Sequence, residues 1–226
     1  MTRERPILFS GPMVRAILTG RKTVTRRVMK IRLAPGQRPD EEGWEQGLDP
    51  DLDLWFGCAT DGTTLIERCP YGAPGDRLWV KETHALLPKP DLRLHGNTKR
   101  ALRPDELTPV YAASFNPDSP RPRWRPSIHM PRWASRLTLD VVSVGVERLH
   151  DITNAEIAAE GVIADRGPRG EFLSALRGPT GGTIFETARA LWQHGWDSIN
   201  GKRPSCAWKD NPWVWRVEFR RAETAP

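Results

Sequence analysis

The sequence predicts an α+β fold built around a small, curved sheet, and three observations carry that prediction. Leu137, Leu139 and Val141 alternate with Thr138, Asp140 and Val142; Trp213, Trp215, Val217 and Phe219 alternate with Val214, Arg216 and Glu218; the helical signals between and before them are few and short. The alternations mark strands with one face in a core.

Taken in order, Ile7-Leu8-Phe9 reads as a short strand. Ser10 then caps a helix that has Pro12 in its first turn, Met13, Ala16 and Ile17 on its buried face, and Gly20 just past its end. Residues 21–27 continue as an extended segment. Residues 31–75 are rich in Pro, Gly and acids with little periodicity, and read as an insertion running over the surface. Pro74-Gly75-Asp76 is a turn, Arg77 to Thr83 a strand, and Val110 to Ser114 a weaker one. Leu137 to Leu149 is the clearest strand, with Gly145 placed to permit a bulge. Thr153-Asn154-Ala155-Glu156 has the form of a capping box, opening a short helix that ends at Gly161 with Glu160 in its last turn. A Gly-rich loop runs to about residue 182; Phe185, Ala188, Trp192 and Trp196 then recur at helical spacing, and residues 213–219 close the sheet. The expectation is one domain over residues 1–226, with insertions near 31–70, 84–124 and 162–183.

Composition limits the function classes. The 226 residues carry 34 Lys and Arg against 28 Asp and Glu, a net charge of +6, but the charge is segregated. Residues 1–38 hold ten bases against the single acid Glu4, whereas residues 39–67 hold nine acids and no base. The basic part suits phosphate contacts; the acidic part folds over such a groove or solvates a loop. Cys58, Cys69 and Cys206 show no C-x-x-C spacing and point to a reducing compartment. No apolar run approaches the roughly 18 residues of a membrane span, and Met1 to Pro6 is too polar for a signal peptide, so a cytoplasmic protein is expected. The ten tryptophans read mostly as core residues, with the remainder free to stack on bases.

Chemistry concentrates in Arg21-Lys22-Thr23-Val24-Thr25-Arg26-Arg27. In an extended segment alternate side chains share a face, and Lys22 pressed into a cleft beside other cations loses proton affinity and becomes a base, with a Thr hydroxyl as nucleophile. Such a site also needs a carboxylate. The alternative is that these residues bind phosphate only. Residues 121–136 form a second candidate, because five Arg beside Trp124 and Trp133 offer phosphate contacts and stacking faces; Arg132 and Trp133 are its site residues, and a rigid connector is the competing reading. Glu82 is placed to reach the pocket from a neighbouring strand. The scattered His residues imply no metal site, and the acids of 39–67 lack a calcium-loop pattern.

Gly20-Arg21-Lys22-Thr23-Val24-Thr25 with Arg27 resembles the G-x-K-T-x-T-x-R signature of the ASCH family. Pro74-Gly75-Asp76-Arg77-Leu78-Trp79-Val80 is similar to that family's G-D-x-L-x-V strand, and Val146 to Gly161 to the strand and short helix that bring in its acid. Residues 124–133 and 211–215 are similar to longer ASCH-like proteins of phages and prophages. The resemblance implies a PUA-like small β-barrel that binds a modified nucleoside, RNA or DNA. Small bacterial members include N4-acetylcytidine amidohydrolases that use Lys, Thr and Glu. Here the resemblance implies Thr25 as nucleophile on the acetamide carbonyl, Lys22 as its base and Glu160 orienting the Lys or relaying a proton. Arg27 anchors the substrate, with Arg21, Thr23 and Arg26 beside it. No cofactor is implied, and a monomer is the expected state. Other members bind or cleave RNA, so a binding module and a ribonuclease stay open as alternatives.

Overall fold

The computed structural model describes residues 2–31, 39–46, 54–89, 102–161, 165–166, 172–173, 184–185 and 187–223. In chain order they form β1 (Glu4–Leu8), α1 (Gly11–Leu18), β2 (Val24–Val28), β3 (Pro39–Gln46), β4 (Leu54–Ala59), β5 (Thr64–Arg68), β6 (Arg77–Lys81), β7 (His84–Pro88), β8 (Leu107–Tyr111), β9 (Thr138–Arg148), α2 (Asn154–Ala159), β10 (Asp165–Arg166), β11 (Phe172–Leu173), β12 (Ile184–Phe185), α3 (Ala188–Asn200) and β13 (Trp213–Arg221). The fold is α+β. Its main sheet has the order β1-β6-β9-β13-β2, with β1 and β6 parallel and the other neighbours antiparallel. The edge strands β1 and β2 meet through a side chain, Arg27 Nη2 donating to the Leu8 carbonyl at 2.6 Å. Among the described residues, therefore, backbone pairing does not close the sheet into a barrel.

β13 sits inside the sheet because both of its faces are apolar where they need to be. Trp215, Val217 and Phe219 join Ile7, Phe9, Leu78, Leu139 and Val141 in the main core. Val214 points the other way, into a second cluster of Leu149, Ile157, Trp192, Trp196 and Trp208 under α2 and α3. Burying each such side chain stabilises the fold by about 1.5–3 kcal/mol. Six of the ten tryptophans are buried, as a core role requires.

Several details differ from the sequence expectation. Val14, fully enclosed, joins Ala16 and Ile17 on the buried side of α1, and Ser10 precedes that helix without a side-chain cap bond. Within the 31–75 insertion expected as surface loop, Pro39–Gln46, Leu54–Ala59 and Thr64–Arg68 form the antiparallel sheet β3-β4-β5, turned at Asp61-Gly62, where Gly62 has φ +82°. Trp55 from that sheet packs edge-on against Trp215, with ring centroids 5.9 Å apart. The adjacent bulky residues Trp55 and Phe56 obscured the alternation, while the Asp-Gly turn signalled a hairpin. The bulge in β9 lies at Val142 rather than Gly145: pairing passes from Ser143 opposite Glu218 to Val141 opposite Phe219. Val142 is the extra residue and is exposed. The strand expected at Val110 to Ser114 is β8, ending at Tyr111 and followed by a 3-10 turn. Helix α3 begins at Ala188, capped by the Thr187 hydroxyl, so Phe185 precedes it in β12. Most of the Gly-rich stretch expected as a loop lies outside the described residues, as do residues 90–101 of the 84–124 insertion. No described helix is long and apolar enough to cross a membrane.

Candidate functional site

The basic segment and the short acidic helix meet across the end of α1. Gly20 leaves that helix at φ +73°, and Lys22 then pairs as an isolated bridge with Glu160, the residue that ends α2. The capping box that fixes α2 is formed: the Glu156 N–H donates to Thr153 Oγ1 at 3.3 Å and the Thr153 N–H to Glu156 Oε2 at 3.0 Å. At Gly161 the chain turns with φ +82°. A Cβ there would stand 2.7 Å from the Ala16 Cβ and 2.9 Å from the Lys22 Cβ, so only glycine lets α2 approach this closely.

Lys22 and Glu160 are both enclosed. Lys22 Nζ donates to Glu160 Oε2 at 2.6 Å, the Glu160 carbonyl at 2.9 Å and the Val24 carbonyl at 2.7 Å. These contacts use all three ammonium protons. Burial pushes the Lys22 amine below its ordinary proton affinity, Arg27 and Arg26 add to that, and the Glu160 carboxylate opposes it. The other oxygen of Glu160, Oε1, accepts from Arg26 Nη1 at 3.4 Å. Arg26 also pairs with Glu147, 2.5 Å away, and with Glu156 at 3.1 Å. Thus one carboxylate joins the lysine to a three-acid cage around Arg26. Burial and neighbouring Glu156 raise the Glu147 carboxyl against the pull of Arg26.

Thr25 and its neighbour Arg26 both line a cavity of about 410 Å³ together with Glu160. That volume falls within the roughly 300–1,000 Å³ of small-molecule sites. The Thr25 hydroxyl makes no hydrogen bond to a described residue. Arg27 forms part of the same wall, its guanidinium 5.1 Å from the Phe9 ring, and burial pulls its proton affinity down. α3 adds Leu191, Trp192 and Trp196, an apolar part of the same lining. Tyr71 closes a further side, its hydroxyl pushed up by burial.

Of the residues marked from the sequence, the fold brings together Lys22, Thr25, Arg26, Arg27 and Glu160. Arg21 and Thr23 are exposed, and the Arg21 Nε donates to Thr19 Oγ1 at 2.9 Å. Glu82 is not at the cavity. It is buried in a two-point pair with Arg136, at 2.8 and 3.0 Å, while that guanidinium lies 4.0 Å from the Tyr111 ring. Arg132 is likewise committed, to Glu4 at 2.9 and 3.1 Å, and Trp133 is 42% exposed on that surface, away from the cavity. Both sit on the 3-10 turn Arg132–Ala134, which enters no part of the cavity wall. Sequence reasoning overlooked Tyr71, Lys30, Arg203 and the α3 wall, since nothing local links them to residues 22–27. Glu147 and Glu156 carried a signal, as acids on the strand and helix leading to Glu160.

Among the described residues no three His, Cys, Asp or Glu side chains gather in a metal-binding group. Comparison with protein-family models, curated proteins and solved structures found no match.

Proposed function

We propose that this chain is an ASCH-type, PUA-like protein that hydrolyses the exocyclic amide of an N4-acylated cytosine or a similar modified base. The observation that carries the reading is the enclosed Lys22–Glu160 pair, 2.6 Å apart, with Glu160 and Thr25 both lining one cavity. Catalysis of acyl transfer by a hydroxyl needs a base beside a nucleophile, and an orienting acid beside the base. A phosphate-binding role for Lys22 would instead need its ammonium turned outward, whereas its side chain is 0% exposed and its protons are all donated internally. The apolar α3 wall suits the face of a nucleobase.

In this mechanism Lys22 first gives up a proton by way of Glu160, since burial works against the charged amine. Thr25 Oγ attacks the acyl carbon as the neutral amine takes its proton. The C–N bond then breaks, the proton goes to the departing N4 amine, and the acyl group stays on Thr25. Water attacks that ester with Lys22 again accepting and returning the proton, releasing a carboxylic acid and free Thr25. Arg26 holds Glu160 in place, and Arg27 anchors the substrate. The reaction as written consumes only water.

The test is conversion of N4-acetylcytidine to cytidine by purified protein in the presence of chelator, beside Lys22→Ala and Glu160→Gln. Turnover by the parent protein that is lost in both variants is the expected result. Unchanged turnover in folded Lys22→Ala would sink the mechanism.

A further inference from the structure

The cavity is electrostatically unbalanced at its mouth. Its acid, Glu160, is neutralised from within by Lys22 and Arg26. Three more cations line the same space: Arg27 in the wall, and exposed Lys30 and Arg203 at the rim. None of these three has a carboxylate within ion-pairing distance among the described residues. Among the described residues the Arg203 guanidinium donates to a neutral amide, Asn200 Oδ1, at 3.3 Å. Arg27, Arg203 and Tyr71 all line this one cavity. Lys30 follows β2, two residues past its end at Val28, and lines the same cavity as Thr25.

Uncompensated cations around a cavity concentrate anions and hold them by charged hydrogen bonds. Beside an apolar wall fit for a base, the matching ligand carries a ring at one end and a dianion at the other. We propose that the site takes a nucleoside 5′-monophosphate, with Lys30 and Arg203 holding the phosphate while the base lies against α3. This rests on the proposed function for the identity of the base, and goes beyond it in assigning the phosphate and the residues that select it. Guanidinium and ammonium groups differ here: Arg203 offers a planar two-point contact, Lys30 a point charge.

The experiment has two arms. In the first, cytidine, cytidine 5′-monophosphate and inorganic phosphate are titrated calorimetrically into the parent protein, Lys30→Ala/Arg203→Ala, and Arg121→Ala, which removes an exposed charge outside the cavity. The monophosphate is expected to bind at least about tenfold more tightly than cytidine, the size of one charged hydrogen bond. That advantage collapses towards unity in the double variant and persists in Arg121→Ala. In the second arm, kcat/KM is compared for N4-acetylcytidine and its 5′-monophosphate, with the same ratio expected. Equal binding and equal turnover of the two forms overturns the phosphate assignment and leaves the amidohydrolase standing. Selective binding of the monophosphate without hydrolysis of either substrate upholds the phosphate site and overturns the chemistry. No binding of any of the three probes together with no turnover of either substrate overturns both. Tight binding of inorganic phosphate that Lys30→Ala/Arg203→Ala does not weaken also overturns the assignment, since the anion then sits elsewhere.

Discussion

Two Arg-rich stretches, residues 21–27 and 121–136, look alike in charge, the first with three Arg and one Lys, the second with five Arg, and neither with an acid. Their fates are opposite. The first is drawn under the end of α2, where Lys22 and Arg26 are enclosed by Glu160, Glu147 and Glu156. The second crosses the surface in two 3-10 turns, its Arg121, Arg123 and Arg125 exposed, Arg132 tied to Glu4, and Arg136 reaching in to Glu82. The lesson is that basic composition marks where charge is, while the elements that fold over it determine whether that charge becomes reactive, structural or merely solvated. Burial is what lowers the proton affinity of Lys22.

The comparison breaks most visibly at Glu160. Glu160→Ala leaves Lys22 and Arg26 enclosed with their shared carboxylate gone, and removing one partner of a buried pair costs about 3–5 kcal/mol. Chemical denaturation should show that loss, with turnover abolished as well. Finding the variant as stable as the parent would mean the cluster is not enclosed in solution.

Arg136→Ala probes the other stretch. It strands the Glu82 carboxylate, whose side chain is 2% exposed, but Arg136 itself is 24% exposed, so the cost should fall below the Glu160 case, at about 2–3 kcal/mol. Hydrolysis of the acylated nucleoside should remain in the folded variant. Loss of turnover without loss of fold would place Glu82 back among the functional residues.

A smaller effect separates the two regions by pH. Burial pulls the Glu156 carboxyl upward, but hydrogen bonds from the Thr153 backbone, Arg216 and the Thr153 hydroxyl, with the charge of Arg26, carry it from 4.5 down to about 2. A carboxyl lowered on folding stabilises the protein above its unfolded value, and that contribution drains away as pH falls from 4.5 towards 2. In Glu156→Gln the acid-induced loss over this window should shrink, while stability near neutrality drops by about 1 kcal/mol for the weakened bonds. An unchanged acid limb in equilibrium unfolding would assign the sensitivity to other groups. Smallest of all, Trp133→Ala removes an indole that is 42% exposed and lies outside the cavity, so stability should move by no more than about 0.5 kcal/mol and turnover not at all. A larger fall in either would reveal a role for the second stretch that its placement does not account for.

Much of the frame was legible along the chain. The strands at 137–149 and 213–219 announce themselves because each has one face in a common core, and period two survives whatever the partner strand is. Thr153 and Glu156 announce α2 because the capping box is a contact three residues apart. The sheet at residues 39–68 did not, since Trp55 and Phe56 stand side by side and only Trp55 reaches Trp215. The site divides the same way. Lys22, Thr25 and Glu160 stood out through a motif, yet Glu82 stood out too, and its capture by Arg136 is a contact across 54 residues that no local pattern encodes.

By itself the sequence determined the α+β class, the short helix carrying Glu160 and the extended segment carrying Lys22 and Thr25, because these depend on local periodicity, capping and glycine conformations. Only the tertiary structure decided that Lys22 Nζ rests 2.6 Å from a carboxylate 138 residues away, and that α3 and Arg203 join Thr25 and Glu160 in lining one cavity. The reason is physical: desolvation and ion pairing depend on what surrounds a charge in space, and a linear chain specifies its neighbours only along itself.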